Sequence, residues 1–513
     1  MALKHFLFPS LLFLLGITCL QAQVVSGKLL DSSTLQAIPY ATIQMGNNRG
    51  VISNEEGQFN LMLDNTIKST DTLFISCMGY ESLGKTIGQL KDSLVYLTPK
   101  PIALNSVIVS NKQYSADDIL DLVKSNLDRN YNRDLTKRRL FFREYYYQHL
   151  YRSKYSDLES TIDAFNKSFL DSVIQTVPKV DARYTEVLCD FYGNFDTKKQ
   201  KIDLIKASEL YDKNSALDLE ALETKFNNII KKNVKTDSYF KIKSGFFGTK
   251  MDADELFATE VDSSDVAALN KKLEEEKKNT AERKENFAKY RKITISKLME
   301  QLFFMEDSNI NFLWKQRRYN FILDDFTYLG SDPVYVISFE PKGSEDYRGT
   351  LYINADDFAI SRIDYENVKP VRTFKLLGVS LNQHLSKGKM IFYKGGDNRY
   401  NLRYLEKENG SVAGIKRPLK IIEKNKNVKG RRKQNELSLD MDLGISSTNK
   451  FELIVFDTQN TTSTQFETIS ENNTVLPIYM PKYDPEFWKG YAIIEPNRAI
   501  KEFTSKEEVS GND

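Results

Sequence analysis

The amino-acid sequence predicts an α+β protein: an N-terminal β-sandwich, then a helical region, then a C-terminal antiparallel sheet that is free to curve. Three observations lead there. Short β-branched and aromatic runs with closely spaced turn signals fill residues 23–99. A stretch rich in Lys, Asp and Glu with helical spacing follows at about 155–310. From about Tyr319 the apolar period returns to two. The expected organisation is a signal peptide over 1–22, the sandwich over 23–99, a strand and linker over 100–115, an α+β domain over 116–480 and a C-terminal tail over 481–513. Within the α+β domain the helical insertion occupies about 155–310 and the sheet about 319–457.

Lys4 and His5 precede an apolar run from Phe6 to Ile17, interrupted only by Pro9 and Ser10, before the chain turns polar at "LQAQ". That pattern reads as a secretory signal peptide cut between Ala22 and Gln23. Lipid attachment at Cys19 is the alternative, but Thr18 and Ile17 fit poorly the small residues it requires. No later segment reaches the roughly 18 apolar residues of a membrane helix. The expectation is an exported protein of the periplasm or outer membrane, with no transmembrane segment once the signal is removed. After that cut Cys77 and Cys189 remain, either as two buried thiols or as a bridge.

The sandwich is read from "VVSGKLLD", "AIPYATIQMG", "RGVISNEEGQFNL", "DTLFISCMGYES" and "SLVYLTP". In the third run Glu55 and Glu56 raise the question of a metal. An EF-type calcium loop needs oxygen ligands at alternate positions and a closing Glu. No Asp stands two residues before Asn54 and no closer follows, so the stretch is expected to be a plain hairpin turned at Gly57. Val25, Gly27, Leu29 and Asp31 form a V-x-G-x-L-x-D opening, followed by "IPYATI" at Ile38 to Ile43, "SNEEGQF" at Ser53 to Phe59, and the pair Gly79 and Tyr80. On these motifs the segment resembles the carboxypeptidase-regulatory-like domain, a transthyretin-like sandwich. The resemblance implies a non-catalytic module. In metallocarboxypeptidases it accompanies a separate zinc domain, and in bacterial envelope proteins it often stands at the N-terminus.

"PKPIALNSVIVSNK" reads as one more strand leading to a linker. Ser115 is a plausible N-cap for a helix carrying Ile119, Leu120, Leu122, Val123 and Leu127 at helical spacing. With the aromatic strand "RLFFREYYYQHLY" that follows, and with "YDPEFWKGYAIIEP" near the C-terminus, it resembles uncharacterised envelope proteins that also begin with a regulatory-like sandwich. Farther on, Ala281, Ala288, Ile295 and Leu302 recur every seven residues along one long amphipathic helix. A coiled-coil partner site is one reading of that stripe. A solvated helix with one face packed on its own domain is the other, and the thin Ala-rich first half favours it.

Consecutive antiparallel strands follow, with turns expected at Asp332-Pro333, Ala355-Asp356, Gly395-Gly396 and Asn409-Gly410. "GTLYINADDFAISRIDYE" looks like the recurrent hairpin of the curved-sheet lipoprotein carriers of the LolA type. That resemblance implies a half-barrel holding acyl chains, with Leu351, Ile353 and Ile360 on one wall. The same residues suit an ordinary core.

No chemistry is legible. A catalytic zinc site needs about three converging ligands, and the only imidazoles after the signal are His149 and His384, neither in an H-E-x-x-H or H-x-x-E setting. No nucleophile motif and no Gly-rich phosphate loop appears. Asp356-Asp357 and Asp324-Asp325 suit turns as well as acid-base work. With 72 basic against 70 acidic residues, the charge gives no basis for nucleic-acid binding. No residue is therefore assigned a catalytic, metal or cofactor role, and no cofactor is expected. One local cluster, "KNKNVKGRRK", places Lys424, Lys426, Lys429, Arg431, Arg432 and Lys433 within reach of an anionic surface, or in a solvated loop. The function expected is non-enzymatic binding or scaffolding in the envelope, with an envelope protein or outer-membrane component as partner. Lipid or lipoprotein carriage, with lipid as a further partner, and an unrecognised hydrolase are the alternatives.

Overall fold

The computed structural model describes residues 24–45, 49–62, 67–77, 80–90, 94–99, 114–195, 199–235, 237–245, 247–252, 266–329, 332–430, 432–489 and 491–505. The chain divides into two units. The first comprises the described residues of Met1–Pro101 and Pro485–Asn497, the second those of Ile102–Asp484 and Arg498–Asp513. The expected cleavage site at Ala22 and Gln23, the alternative Cys19, and most of the linker over 100–115 lie outside the described residues.

The first unit is a sandwich of two sheets. Strands β1 (Val24–Asp31), β4 (Gln58–Met62) and β7 (Leu94–Leu97) form one, in the order β4-β1-β7. Strands β2 (Thr42–Met45), β3 (Arg49–Ile52), β5 (Thr72–Ser76) and β6 (Leu83–Thr86) form the other, in the order β3-β2-β5-β6. Alternation drives the packing: Leu29, Ile43, Leu73, Ile75, Val95 and Leu97 point inward and build one apolar cluster. The stretch around Glu55 and Glu56 corrects one expectation. Its flanking strands β3 and β4 belong to different sheets, so it is a corner between layers and not a β-hairpin. Asn54 makes the corner: its Oδ1 accepts the amides of Glu56 at 3.0 Å and Gln58 at 2.9 Å. Gly57 then takes φ 75°, where a Cβ would stand 2.7 Å from the Leu29 carbonyl.

The expected C-terminal tail over 481–513 is also corrected, because Pro485–Asn497 belongs to the sandwich unit. Ile494 bridges Ile52 in parallel, the Glu495 amide donates to the Ile52 carbonyl at 3.1 Å, and Asn54 Nδ2 donates to the Pro496 carbonyl at 3.0 Å. The segment covers the free edge of β3, a row of backbone groups that would otherwise be open to another strand.

The second unit is built on one sheet, and mixed α+β content holds for the protein. Its strands are β8 (Thr136–Ser160), β9 (Val180–Gly193), β10 (Gln200–Leu210), β11 (Ser238–Ser244), β12 (Phe247–Asp252), β13 (Tyr319–Leu329), β14 (Asp332–Pro341), β15 (Tyr347–Asn354), β16 (Ile360–Asn367), β17 (Arg372–Leu376), β18 (Val379–Lys394), β19 (Tyr400–Asn425), β20 (Lys433–Asn460) and β21 (Ile478–Met480). The main path runs β13-β14-β15-β16-β18-β19-β20-β8-β9-β10-β21. Strands β11 and β12 hang from β19, and β17 pairs β18. The helix Ala116–Ser125 starts where expected, with Ser115 Oγ accepting the Asp118 amide at 3.2 Å. It packs on one sheet face together with Phe303, Phe304, Phe312 and Leu313. Among the described side chains of the long helix Val266–Met299, Ala288, Ile295, Ser296, Leu298 and Met299 are buried, so its C-terminal part packs on its own unit.

 The expectation of a mostly helical stretch at about 155–310 is corrected as well: β9, β10, β11 and β12 all lie within it, and β8 reaches Ser160. Its charges serve cross-strand pairs such as Arg139 with Asp190 and Arg143 with Glu186, which a single sequence does not distinguish from pairs along a helix. Asn409-Gly410 is not a turn either; it lies mid-strand in β19 opposite Asn449 and Thr448. Among the described residues no helix is long and apolar enough to cross a membrane.

Candidate functional site

Each strand of the large sheet turns alternate side chains to opposite faces. Leu351, Ile363, Met390, Leu405, Leu453, Phe142 and Val187 lie on the core face. Their neighbours on the other face fall into a single register row. Thr350 opposes Asp364, Asp364 opposes Lys389, Lys389 opposes Glu406, and Glu406 opposes Glu452. The row continues from Glu452 to Arg143, from Arg143 to Glu186, and from Glu186 to Ser208. One residue from each of β15, β16, β18, β19, β20, β8, β9 and β10 thus forms a polar line across the sheet, charged at its six inner positions from Asp364 to Glu186 and ended by Thr350 and Ser208.

The inner half of the row is buried. Arg143 is 2% exposed and Glu186 0%. Arg143 Nη2 lies 2.7 Å from Glu186 Oε1, its Nη1 lies 3.4 Å from Glu452 Oε2, and Ser208 Oγ donates to Glu186 Oε2 at 3.2 Å. Tyr404 Oη donates to Glu406 at 3.0 Å and contacts Glu452 at 3.3 Å, while Lys450 Nζ stands 3.4 Å from Glu406. Burial alone would lower the Arg143 pKa, but the carboxylates of Glu186 and Glu452 outweigh it and hold the guanidinium above its ordinary value. The arrangement fixes strand register, since a slip of one residue would strand these charges against apolar neighbours.

The outer half of the row opens into a groove of about 560 Å³ over β13 to β19. Arg362 Nη2 pairs with Asp364 Oδ2 at 2.6 Å, Arg348 Nη2 with Glu366 Oε1 at 2.6 Å, and Lys387 with Glu408 at 3.1 Å. Gly388 turns to the core face with Met390, where a Cβ would stand 2.3 Å from the Glu406 carbonyl and 2.5 Å from the Tyr365 Oη. The groove therefore offers alternating cations and carboxylates on adjacent strands, a pattern matched by a partner of mixed charge. Sequence reasoning missed it. Its only trace is the polar alternate positions of "YRGTLYINADDFAISRIDYEN", and pairing register is not written in one strand.

The residues singled out from sequence are placed as follows. Lys424 lies in β19, Lys426, Lys429 and Arg432 lie in the loop before β20, and Lys433 begins β20; Arg431 lies outside the described residues. Lys433 Nζ is 2.5 Å from Glu436 Oε2, and Lys420 Nζ is 2.7 Å from Glu436 Oε1. Those two ammonium groups, Lys420 first, hold the Glu436 carboxyl below its usual range. Arg432 Nε donates to the Val428 carbonyl at 2.9 Å. Lys433 and Arg432 are thus engaged within the chain itself. Leu351, Ile353 and Ile360, the expected wall of a lipid cavity, are 0% exposed and belong to the core cluster with Phe303 and Phe312. Asp356 and Asp357 sit in the β15–β16 turn, where Asn354 Oδ1 accepts the Asp356 amide at 2.8 Å and Lys394 pairs with Asp357 at 2.8 Å.

A smaller apolar cavity of about 110 Å³ lies among Phe165, Phe226, Ile230, Phe240, Met251 and Ile421. Glu423 closes one side, 1% exposed, accepting Ser238 Oγ at 2.7 Å and Asn435 Nδ2 at 2.6 Å. Its lining is that of a satellite core beneath the helices Lys167–Thr176 and Asn214–Asn233.

Comparison with known proteins adds one domain. Residues 25–109 match the CarboxypepD_reg-like domain, so the chain carries an N-terminal carboxypeptidase-regulatory-like module. No curated protein matches. Among solved structures, the chain is similar to the complex structure of Pseudomonas aeruginosa MucA/MucB at 8% identity, covering 64% of this chain and 93% of that chain with a TM-score of 0.14. A crystal structure of MucB in complex with MucA(peri) gives 8% identity, the same coverage and a TM-score of 0.13. At those TM-scores neither likeness carries an argument about this chain.

Proposed function

We propose that the protein is a non-enzymatic binding or scaffolding component of the bacterial cell envelope, exported to the periplasm or outer membrane, with the sandwich as an interaction module. The observation that carries this reading is the groove over β13 to β19. Its cations and carboxylates pair with one another along rigid strands, Arg362 with Asp364 and Arg348 with Glu366, which suits recognition of another mixed-charge surface. Specificity in such a surface comes from the order of charges, and like charges placed opposite each other exclude wrong partners. The partner class is an envelope protein or outer-membrane component.

The test is capture from envelope fractions by chemical cross-linking, comparing the wild type with Arg348→Glu and Arg362→Glu. Loss of the same cross-linked partner in both variants, with melting temperature unchanged, supports the reading. Retention of every partner by both variants refutes the groove's role. Turnover of a peptide, ester or glycan substrate by the wild type, abolished by either substitution, would replace binding with catalysis.

A further inference from the structure

One edge of the sandwich is filled by a segment from the far end of the chain. Among the described residues, the apolar core cluster of the sandwich runs from Val25 to Leu97 and includes none of Pro485–Asn497. The match to the regulatory-like domain likewise covers 25–109 alone. The core of the module is therefore complete without the C-terminal segment, which adds at the β3 edge. Ile52 marks that edge: it is 2% exposed yet stands outside the core cluster, and it is bridged by Ile494, which is 0% exposed.

Backbone groups of the segment are read at this edge. The Glu495 amide donates to the Ile52 carbonyl at 3.1 Å, and Asn54 Nδ2 donates to the Pro496 carbonyl at 3.0 Å. Asn54 also holds the corner through its Oδ1, so one side chain shapes the end of β3 and engages the added strand. Pro496 suits its place: it has no amide to leave unpaired, and its carbonyl is the group engaged. The segment begins and ends on the second unit. There Lys482 bridges Thr504 in antiparallel fashion and the Ser505 amide donates to the Pro481 carbonyl at 2.7 Å. The excursion is thus a loop with a closed base whose tip serves the sandwich as a strand.

We propose that the β3 edge is a strand-acceptor site, that residues 485–497 fill it as a tethered latch, and that a second copy of this chain supplies the same arm when the latch is out. The edge accepts the sequence "AIIEP", Ala492 to Pro496, and a second copy carries both that sequence and the edge that takes it. Exchange of one element between identical copies needs no new interface chemistry. When the latch is out, residues 100–113 still connect the sandwich to the rest of the chain, and those 14 residues reach at most about 50 Å. Within one copy the tether keeps the arm at a high effective concentration, so the latch is closed by default and exchange requires its release. The inference specifies one edge of the interaction module proposed above and uses nothing of the groove, so the two readings fail separately.

Three full chains test it: the wild type, Ile494→Arg, which spoils the arm, and Asn54→Asp, which spoils the edge. Asn54→Asp keeps an Oδ1 for the corner amides but removes the donor to Pro496 and sets a carboxylate beside that carbonyl. A fluorescent peptide of residues 485–497 should bind Ile494→Arg about tenfold or more tighter than the wild type, where the tethered arm competes. Adding Asn54→Asp to Ile494→Arg should weaken peptide binding about fivefold or more. In analytical ultracentrifugation the wild type and each single variant should be monomers, while an equal mixture of Ile494→Arg and Asn54→Asp forms a dimer, the arm of one seated on the edge of the other. Hydrogen exchange of the β1 and β5 amides should show an intact sandwich in both variants. Loss of that protection in both would make the arm an integral strand and overturn the proposal. So would equal peptide binding by the wild type and Ile494→Arg, equal binding of a scrambled peptide, or a mixture that stays monomeric.

Discussion

Tyr80 donates its hydroxyl to Asp31 Oδ2 at 2.8 Å, tying the end of β1 to the segment after β5. Asp31 also accepts the amides of Ser33 at 2.7 Å and Thr34 at 2.9 Å through its other oxygen. The Thr34 amide contributes most to holding the Asp31 carboxyl below its ordinary range; burial opposes this, and the Ser33 amide and Tyr80 hydroxyl add to it. Burial first, then the Asp31 charge, pushes the Tyr80 phenol up.

Tyr80→Phe should therefore destabilise the sandwich by about 1 kcal/mol, and Asp31→Asn should cost more, because it also weakens the turn. The pH sign follows from the lowered carboxyl. Its stabilisation is complete above the unfolded aspartate value of about 4 and is lost as pH falls through the lower folded value. Asp31→Asn should accordingly show a shallower loss of stability below about pH 4 than the wild type. Urea unfolding at several pH values, read by hydrogen exchange of the β1 amides, checks both statements.

Asp31 and Tyr80 also show what was legible in the sequence. Both stand in the motifs of the regulatory-like resemblance, and local signals of that kind survive into the structure, as does the Ser115 cap. What failed was whatever depends on pairing between distant strands. The charges of β9 and β10 read as helical because charged residues at close spacing suit a helix surface, yet Glu186 meets Arg143 from 43 positions away. The turn at Asn54 was visible, but not that its two strands enter different sheets. The groove was invisible for the same reason, since Lys389 and Glu406 join Asp364 in one row only through the register of β16, β18 and β19.

Arg143 should be costly to remove. It is the cation shared by Glu186 and Glu452 in the buried half of the row, and truncation leaves two carboxylates without it. Arg143→Ala should destabilise the second unit by about 3–5 kcal/mol. Arg143→Met combined with Glu186→Gln should cost less than the two single changes summed, since the pair is removed together. Denaturant unfolding of the four proteins closes the cycle; additive effects would mean that the pair is not coupled.

Gly388 should resist even one added methyl group. A Cβ there meets the Glu406 carbonyl at 2.3 Å and Tyr365 Oη at 2.5 Å, and Tyr365 is buried in the core. The backbone carbonyl cannot move without disturbing the β18–β19 ladder, so Gly388→Ala should cost about 1–3 kcal/mol. If the Tyr365 hydroxyl is what yields, Gly388→Ala combined with Tyr365→Phe should recover part of the loss. Thermal melts of the three proteins decide it.

Cys77 and Cys189 should differ in reactivity, because their surroundings differ. Cys189 is 0% exposed on the core face of β9, and burial, with smaller contributions from Asp190 and Asp203, pushes its thiol well above the ordinary value. The thiolate is the reactive form, so Cys189 is protected twice: the reagent cannot reach it and the proton is held. Cys77 is only partly buried, with Sγ 3.9 Å from the Pro39 carbonyl. In a chain begun at Gln23, which lacks Cys19, iodoacetamide at pH 8 should therefore label Cys77 alone in the native protein and Cys189 as well in denaturant, as peptide mass spectrometry would show. Because labelling of Cys189 requires opening of the sheet, its rate should rise in Arg143→Ala, whose loss loosens β8 against β9, while the Cys77 rate stays unchanged.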